Sequence, residues 1–220
     1  MREQLVPTSP RREVFQQDGV AWLRAANLSA TQAIVTSLPN HSELPALGFA
    51  GWRAWFLEVA QLCCTQVAAQ AVTIFYQTDI KFEGRWIDKA YLVQRSAEAA
   101  GSELLWHKVV CRATPGTTTF GRPAYAHLLC FSRELRLQPG QSSADVLPEL
   151  GDMPWPRAMG THACRSVTKF LRLHTACDTV VDPFCGHGTM LAVANAEGLD
   201  AVGIELSRKR AKRARELQFD

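Results

Sequence analysis

The hydrophobic positions of this chain follow two alternating rhythms. Short runs rich in β-branched and aromatic residues, such as Ala33-Ile34-Val35-Thr36 and Thr73-Ile74-Phe75-Tyr76, are bounded by turn-forming residues and read as strands. Longer stretches with apolar residues on one side of a 3.6-residue period read as helices. In chain order the pattern predicts a helix over 19–26, a strand over 33–36 ending in Ser37-Leu38-Pro39-Asn40, a long helix over 49–67 and a strand over 71–77. A helix from about 86 to 99 then precedes strands over Glu103–Cys111 and 126–132, which read as an antiparallel hairpin at one sheet edge. Residues 136–156 carry Pro139, Gly140, Pro148, Gly151, Pro154 and Pro156 and read as a surface loop. After it come a helix over 157–173, a strand over Thr179–Asp182, a glycine turn, a helix over 190–197, a strand over 201–204 and a basic helix. Such alternation predicts an α/β fold in one domain spanning 1–220: a first half of about 14–135, the loop, and a second half of 157–217.

Composition narrows the class. With 47% apolar and 20% charged residues, the chain is ordinary globular protein rather than disordered or fibrous. No run of about 18 uncharged apolar residues occurs, which excludes a membrane-spanning helix, and residues 1–13 lack the apolar block of a secretory signal. The expectation is a cytoplasmic protein. Seven cysteines without framework or Cys-x-x-Cys spacing predict reduced, buried thiols and no metal site. The net charge of +3 is unevenly placed: residues 208–220 hold six basic and two acidic side chains, while the remaining 207 sum to −1.

The most informative segment is Val180-Val181-Asp182-Pro183-Phe184-Cys185-Gly186-His187-Gly188-Thr189, followed by a helix and by Val202-Gly203-Ile204-Glu205. A strand feeding a glycine turn and a helix N-terminus lets backbone amides approach a ligand closely, and an acid ending the next strand can accept both hydroxyls of a ribose. Glu205 lies 17 residues after Gly188, which suits that role. The Gly-x-Gly-x-x-Gly spacing of nicotinamide sites is absent, since Leu191 stands at the third position. A nucleoside cofactor of another kind is implied.

These residues resemble the cofactor motif Asp-Pro-Phe-x-Gly-x-Gly-Thr of the S-adenosylmethionine-dependent amino-methyltransferases of the adenine and cytosine type, in their permuted order. The resemblance covers nearly the whole chain, with the amine-binding half first and the cofactor-binding half last. It implies a class I, Rossmann-like methyltransferase fold, a mostly parallel sheet with helices on both faces. It also implies S-adenosyl-L-methionine as cofactor, held by Asp182, Pro183, Phe184, Gly186, Gly188, Thr189 and Glu205, with Asp18 of Gln17-Asp18-Gly19 meeting the adenine. Thr36-Ser37-Leu38-Pro39-Asn40 stands where the family has a polar residue, two prolines and an aromatic ring. Ser37, Leu38, Pro39 and Asn40 are therefore the expected catalytic residues. An exocyclic amine is a poor nucleophile because its lone pair is delocalised into the ring. If Ser37 Oγ and the Leu38 carbonyl each accept one N–H, the nitrogen becomes more tetrahedral and its lone pair points at the methyl group.

Leu38 and Asn40 depart from that pattern, leaving no ring to stack on the base. Phe49, Trp52, Trp55, Trp86 and Trp155 are the candidate replacements, with Trp155 in the proline-rich loop the best placed. Lys108, Arg112 and Arg122 are read with Trp155 as substrate-binding residues, and the terminal basic helix as a phosphate-contacting surface. The leading expectation is methylation of an exocyclic amine in a nucleic-acid base. Residues 134–156 are too few for a separate target-recognition domain, which favours RNA, tRNA included, over sequence-specific DNA. A protein or small-molecule methyltransferase and a non-catalytic nucleic-acid-binding paralogue are the alternatives. The sequence leaves the oligomeric state open.

Overall fold

The computed structural model describes residues 9–219, so most of the 1–13 stretch read for a targeting signal lies outside the described part. The first half runs β1 (Arg12–Phe15), α1 (Gly19–Ala25), β2 (Gln32–Thr36), α2 (Gly48–Gln66), β3 (Thr73–Gln77), β4 (Ile80–Phe82), β5 (Arg85–Ile87), α3 (Lys89–Ala99), β6 (Glu103–Cys111) and β7 (Tyr125–Ser132). The second runs β8 (Val146–Leu147), α4 (Thr161–His174), β9 (Thr179–Asp182), α5 (Thr189–Ala196), β10 (Asp200–Ile204) and α6 (Arg208–Glu216). Eight strands form one sheet in the order β1-β10-β9-β2-β3-β7-β6-β8, while β4 and β5 pair separately. Among the described strands of the large sheet, β7 alone opposes its neighbours. This is the expected class I methyltransferase fold.

The central strands explain themselves by burial. All five residues of β3 are buried, as are Ile34 and Val35 of β2 and Val180 and Val181 of β9, so both faces of the sheet are covered. Helices α1, α2 and α3 pack as one group and α4, α5 and α6 as another. Asp18 and Asp88 cap α1 and α3 by accepting the N–H groups of Ala21 and Tyr91 at 2.7 and 2.8 Å. No helix among the described residues is long and apolar enough to cross a membrane.

Four elements differ from the sequence reading. The expected helix from 86 starts at Lys89, because residues 80–87 form the β4–β5 hairpin, which turns at Glu83 and Gly84, both with positive φ. Helix α4 begins at Thr161 rather than 157: Gly160 packs so closely on Leu150 that a Cβ there would lie 2.1 Å from the Leu150 carbonyl oxygen. The β6–β7 hairpin does not itself end the sheet, since β8, inside the expected loop, pairs with β6. Strand β1 has only Val14 buried, too little apolar signal to be seen in advance, yet it pairs with β10 along its whole length.

Candidate active site

Strands β9 and β2 are parallel neighbours, with Ile34 opposite Val181, and the next strand in sequence lies outward of each, β10 beside β9 and β3 beside β2. The loops leaving their carboxyl ends therefore diverge around a crevice, the usual ligand position in sheets of this kind. One loop is the glycine turn and the other is Ser37 to Asn40. A single hydrogen bond joins their roots: Thr36 Oγ1 donates to Asp182 Oδ1 at 2.7 Å, and the Phe184 N–H donates to the same oxygen at 3.1 Å. Burial pushes the Asp182 carboxyl up to about 7, these two bonds opposing the rise and the nearby Glu205 adding to it.

The glycine turn is sterically demanding. Gly188 has φ +82° and abuts α6, where a Cβ would lie 2.8 Å from Ala214 Cα. Only glycine fits both conditions. Thr189 opens α5, and its Oγ1 is buried without a hydrogen-bond partner among the described residues. Glu205, at the carboxyl end of β10, is buried and accepts the Ser207 N–H through Oε1 at 2.7 Å. Gln17-Asp18-Gly19 meets the same turn from β1: a Cβ on Gly19 would lie 2.2 Å from the Pro183 carbonyl oxygen. An unpartnered hydroxyl at a helix N-terminus, a glycine turn and a buried acid one strand away are what a nucleoside ligand with a charged tail requires, so these residues fit the expected cofactor.

The second loop is braced from behind. Ser37 is exposed, and no described protein group hydrogen-bonds its Oγ, whereas the Leu38 side chain is buried. The Pro39 carbonyl accepts the indole N–H of Trp52 at 3.0 Å, which places Trp52 in the core as a support rather than a base platform. Asn40 donates its N–H to Glu43 at 3.0 Å. Beside Leu38 and Asn40, on the wall of the same cleft, sits Lys89, 2% exposed, whose ammonium donates to Asn40 Oδ1 at 2.8 Å and reaches the Leu38 carbonyl at 3.4 Å. Burial lowers its pKa to about 7, although Glu43 and Asp79 favour the charged form. Sequence reasoning missed Lys89, because a lysine following a capping aspartate has the signature of a solvated first-turn residue.

Asp79, which follows β3 at the carboxyl edge of the sheet, is buried. It accepts the Lys89 N–H at 2.9 Å, His127 Nε2 at 3.2 Å and the Tyr125 hydroxyl at 3.3 Å. Burial alone would raise its pKa, but these bonds and the His127 ring hold the carboxyl below its usual range.

A continuous cleft of about 1010 Å³ unites these groups, with Asp18, Ser37, Asn40, Asp182, Gly186 and Glu205 among its walls. Leu38, Pro39, Pro183, Phe184 and Thr189 also line it, as do Arg112, Arg122 and Trp155. Trp155 lies against His187, ring centroids 4.3 Å apart, and so covers the glycine turn rather than the Ser37–Asn40 turn. Trp55 lines the cleft edge-on to Phe184 at 5.9 Å, while Phe49 is stacked on Phe82 at 3.9 Å. Lys108 does not reach the cleft. It is buried under the loop before β8, donating to the Ser143 and Ala144 carbonyls at 3.1 and 2.9 Å, so it fastens that loop. Helix α6 presents Arg210 to the cleft but buries Ala211 and Ala214, and Arg12 donates to the Ala214 carbonyl at 3.0 Å. It is therefore packed structure as well as a charged surface.

Comparison with known proteins agrees with this arrangement. Residues 154–216 match the N6/N4 methylase family described as DNA methylase. Among solved structures, the cytosine-N4-specific PvuII DNA methyltransferase superposes with a TM-score of 0.73 at 15% identity, covering 97% of this chain and 89% of that one. The DNA modification methylase TTHA0409 of Thermus thermophilus gives 0.69 at 18% identity, covering 94% and 93%, and has also been solved with S-adenosyl-L-methionine. M1.HpyAVI, likewise seen in complex with that cofactor, gives 0.61 at 14% identity, covering 93% and 97%. No curated protein matches the chain.

Proposed function

We propose that this chain is an S-adenosylmethionine-dependent N-methyltransferase, similar over residues 154–216 to the N6/N4 DNA methylase family, and that it transfers a methyl group to an exocyclic amine of a nucleic-acid base seated at the Ser37–Asn40 turn. The observation that carries this reading is the Thr36–Asp182 hydrogen bond, which holds the roots of the amine-binding and cofactor-binding turns against one another across adjacent strands.

The cofactor supplies an electrophilic methyl group on sulfur. Of this chain's residues, the backbone amides of the Gly186–Gly188 turn and the Thr189 hydroxyl would meet its polar tail. Glu205 would accept ribose hydroxyls and Asp18 the adenine amine. Ser37 Oγ and the Leu38 carbonyl accept the two N–H bonds of the target amine, restoring the nitrogen lone pair for attack. No strong base is needed before attack, because the amine sheds its proton afterwards.

Two further features support a polynucleotide. Next in the chain to Ile80, which lines the cleft, Lys81 holds its ammonium 4.7 Å from the ring centre of Trp86 and 5.5 Å from that of Phe120, itself next to Gly121 of the cleft wall. Phe120 is 99% exposed and Trp86 51%, an aromatic pair suited to stacking on unpaired bases. Arg210 of the basic helix α6 also lines the cleft and offers a positive charge to phosphates. The expectation of RNA drew on the short interval 134–156 alone, whereas the matching family model and the PvuII and TTHA0409 structures carry DNA methylase names. DNA is therefore the first substrate of this reading, RNA the second arm of its test.

Incubation with methyl-labelled S-adenosylmethionine and separate pools of DNA, RNA and protein, followed by nucleoside mass spectrometry, tests it. Label should appear on N6 of adenine or N4 of cytosine. Label confined to protein, or to a ring carbon, would remove the amine-binding turn from the reaction.

A further inference from the structure

A buried lysine without a carboxylate partner is costly, and Lys89 pairs with none within ion-pair distance among the described residues. Its ammonium meets instead the Leu38 carbonyl, the Asn40 side chain and, at 5.2 Å, the Phe56 ring. Two of these three groups belong to the turn that receives the target amine, and one is the very oxygen assigned to accept its N–H.

We infer that Lys89 is a positioning residue that acts on the amine through the Leu38 carbonyl, bracing the turn in both protonation states but permitting fast methyl transfer only once it has released its proton. The inference rests on the function proposed above. During transfer the amine nitrogen gains positive charge as its lone pair forms the new N–C bond. A carbonyl that already accepts from a cation is a weaker acceptor, and a second positive charge close by opposes the charge that develops. Neutral Lys89 still donates N–H bonds to Leu38 and Asn40, so the turn keeps its shape while the opposing charge is gone.

The surroundings place this switch within reach of physiological pH. The groups facing Lys89 are the Leu38 carbonyl and Asn40 from the turn, the Phe56 ring from α2, Glu43 from the segment after the turn, and Asp79 beyond β3. Glu43 is itself paired with Arg157 at 3.0 Å and Asp79 with His127 at 3.2 Å, which weakens the hold of either on the ammonium. Burial then dominates and brings the group to about 7.

The test joins a spectroscopic titration to kinetics. In cofactor-free protein carrying 13C-labelled lysine, one Cε signal, absent from K89M, should titrate near neutrality. The amide signals of Ser37 and Asn40 should shift with the same midpoint in the parent and stay still in K89M. In single-turnover assays the parent rate should rise about tenfold between pH 6 and 8, as one group deprotonates. K89R, permanently charged, should stay at least about tenfold below the parent at pH 8, and K89M should lose the step in rate that shares the Lys89 Cε midpoint, the contribution of Asp182, which also titrates near 7, being read separately from D182N. Both Lys89 variants should bind S-adenosylmethionine as the parent does. A Cε midpoint in the ordinary lysine range, or a K89M profile that keeps the parent's pH dependence, overturns the role of Lys89. If the parent methylates no base amine at any pH, the proposed function fails instead, and the titration with its coupled amide shifts still decides whether Lys89 governs the turn.

Discussion

Of the buried acids in the cleft, Glu205 and Asp182 carry different burdens. Glu205 has one oxygen engaged by Ser207 N–H, leaving the other for a ligand, while Asp182 spends an oxygen on Thr36 and Phe184 and so organises the protein. Replacing Glu205 with alanine should weaken S-adenosylmethionine binding roughly ten- to a hundredfold, the worth of about 1.5–3 kcal/mol for a charged hydrogen bond, with melting temperature little changed. Calorimetric affinities equal to the parent's would remove Glu205 from the cofactor site. Asp182 makes a prediction about stability. Its folded carboxyl titrates near 7 against a reference of 3.8, so the folded chain holds a proton that the unfolded chain releases between these values. Stability from this group is thus intact below about pH 4, falls as pH rises through the window, and is lowest above 7. Asp182→Asn keeps an oxygen for Thr36 and Phe184 but carries no charge. Its thermal melting point should exceed the parent's at pH 8 and converge with it near pH 4, while cofactor affinity falls. A variant that melts lower at both pH values would show that the carboxylate stabilises the fold. At this scale the sequence was informative where chemistry is local: Asp182, Gly188 and Glu205 follow from a strand-turn-helix pattern. It was misleading where a side chain's neighbours come from far along the chain. In sequence Lys108 is expected to meet substrate and Lys89 gives no signal, yet Lys89 lines the cleft beside the Ser37–Asn40 turn and Lys108 fastens a loop.

At the scale of elements, α6 and the β4–β5 hairpin divide the contacts expected with a polynucleotide. Lys209 and Arg213 are exposed on α6, whereas its alanines seal the glycine turn and Arg215 donates to the Val14 carbonyl. Deleting the helix would uncover Gly188, so charge reversal is the informative change. Lys209→Glu with Arg213→Glu should weaken nucleic-acid binding and flatten its dependence on salt, with cofactor affinity preserved. Identical salt slopes in a fluorescence-anisotropy titration would take α6 out of the interface. Trp86→Ala with Phe120→Ala should act differently, because stacking is worth about 1–3 kcal/mol per base and is insensitive to ions. Affinity for single strands should drop at least about tenfold at high salt with the slope retained. No loss for single strands would mean that the aromatic rim serves some other purpose. The hairpin escaped the sequence reading because its strands are three residues each and its turn is Glu83-Gly84 rather than a glycine pair or Asn-Gly, so the run from Trp86 merged with the helix behind it.

For the whole molecule, order along the chain and order in space differ, yet the topology follows from simple constraints. The most apolar strands, β2, β3 and β9, lie at the centre, where both faces are covered, and the half-polar β1 lies at an edge. The alternation of elements made the α/β class legible, and the two motifs made the site legible. Pairing β1 with β10 could not be seen, because one buried valine carries no periodic signal. The parallel contact of β2 with β9 brings Ser37 and Asp182 to one crevice from positions far apart in sequence. That juxtaposition is tested most directly by Ser37→Ala, assayed for single-turnover methyl transfer to the base amine alongside calorimetric S-adenosylmethionine binding. The rate should fall by about ten- to a thousandfold, the loss of one preorganised acceptor, while cofactor affinity stays within about twofold of the parent. Full turnover with intact cofactor binding would mean that the amine is seated elsewhere.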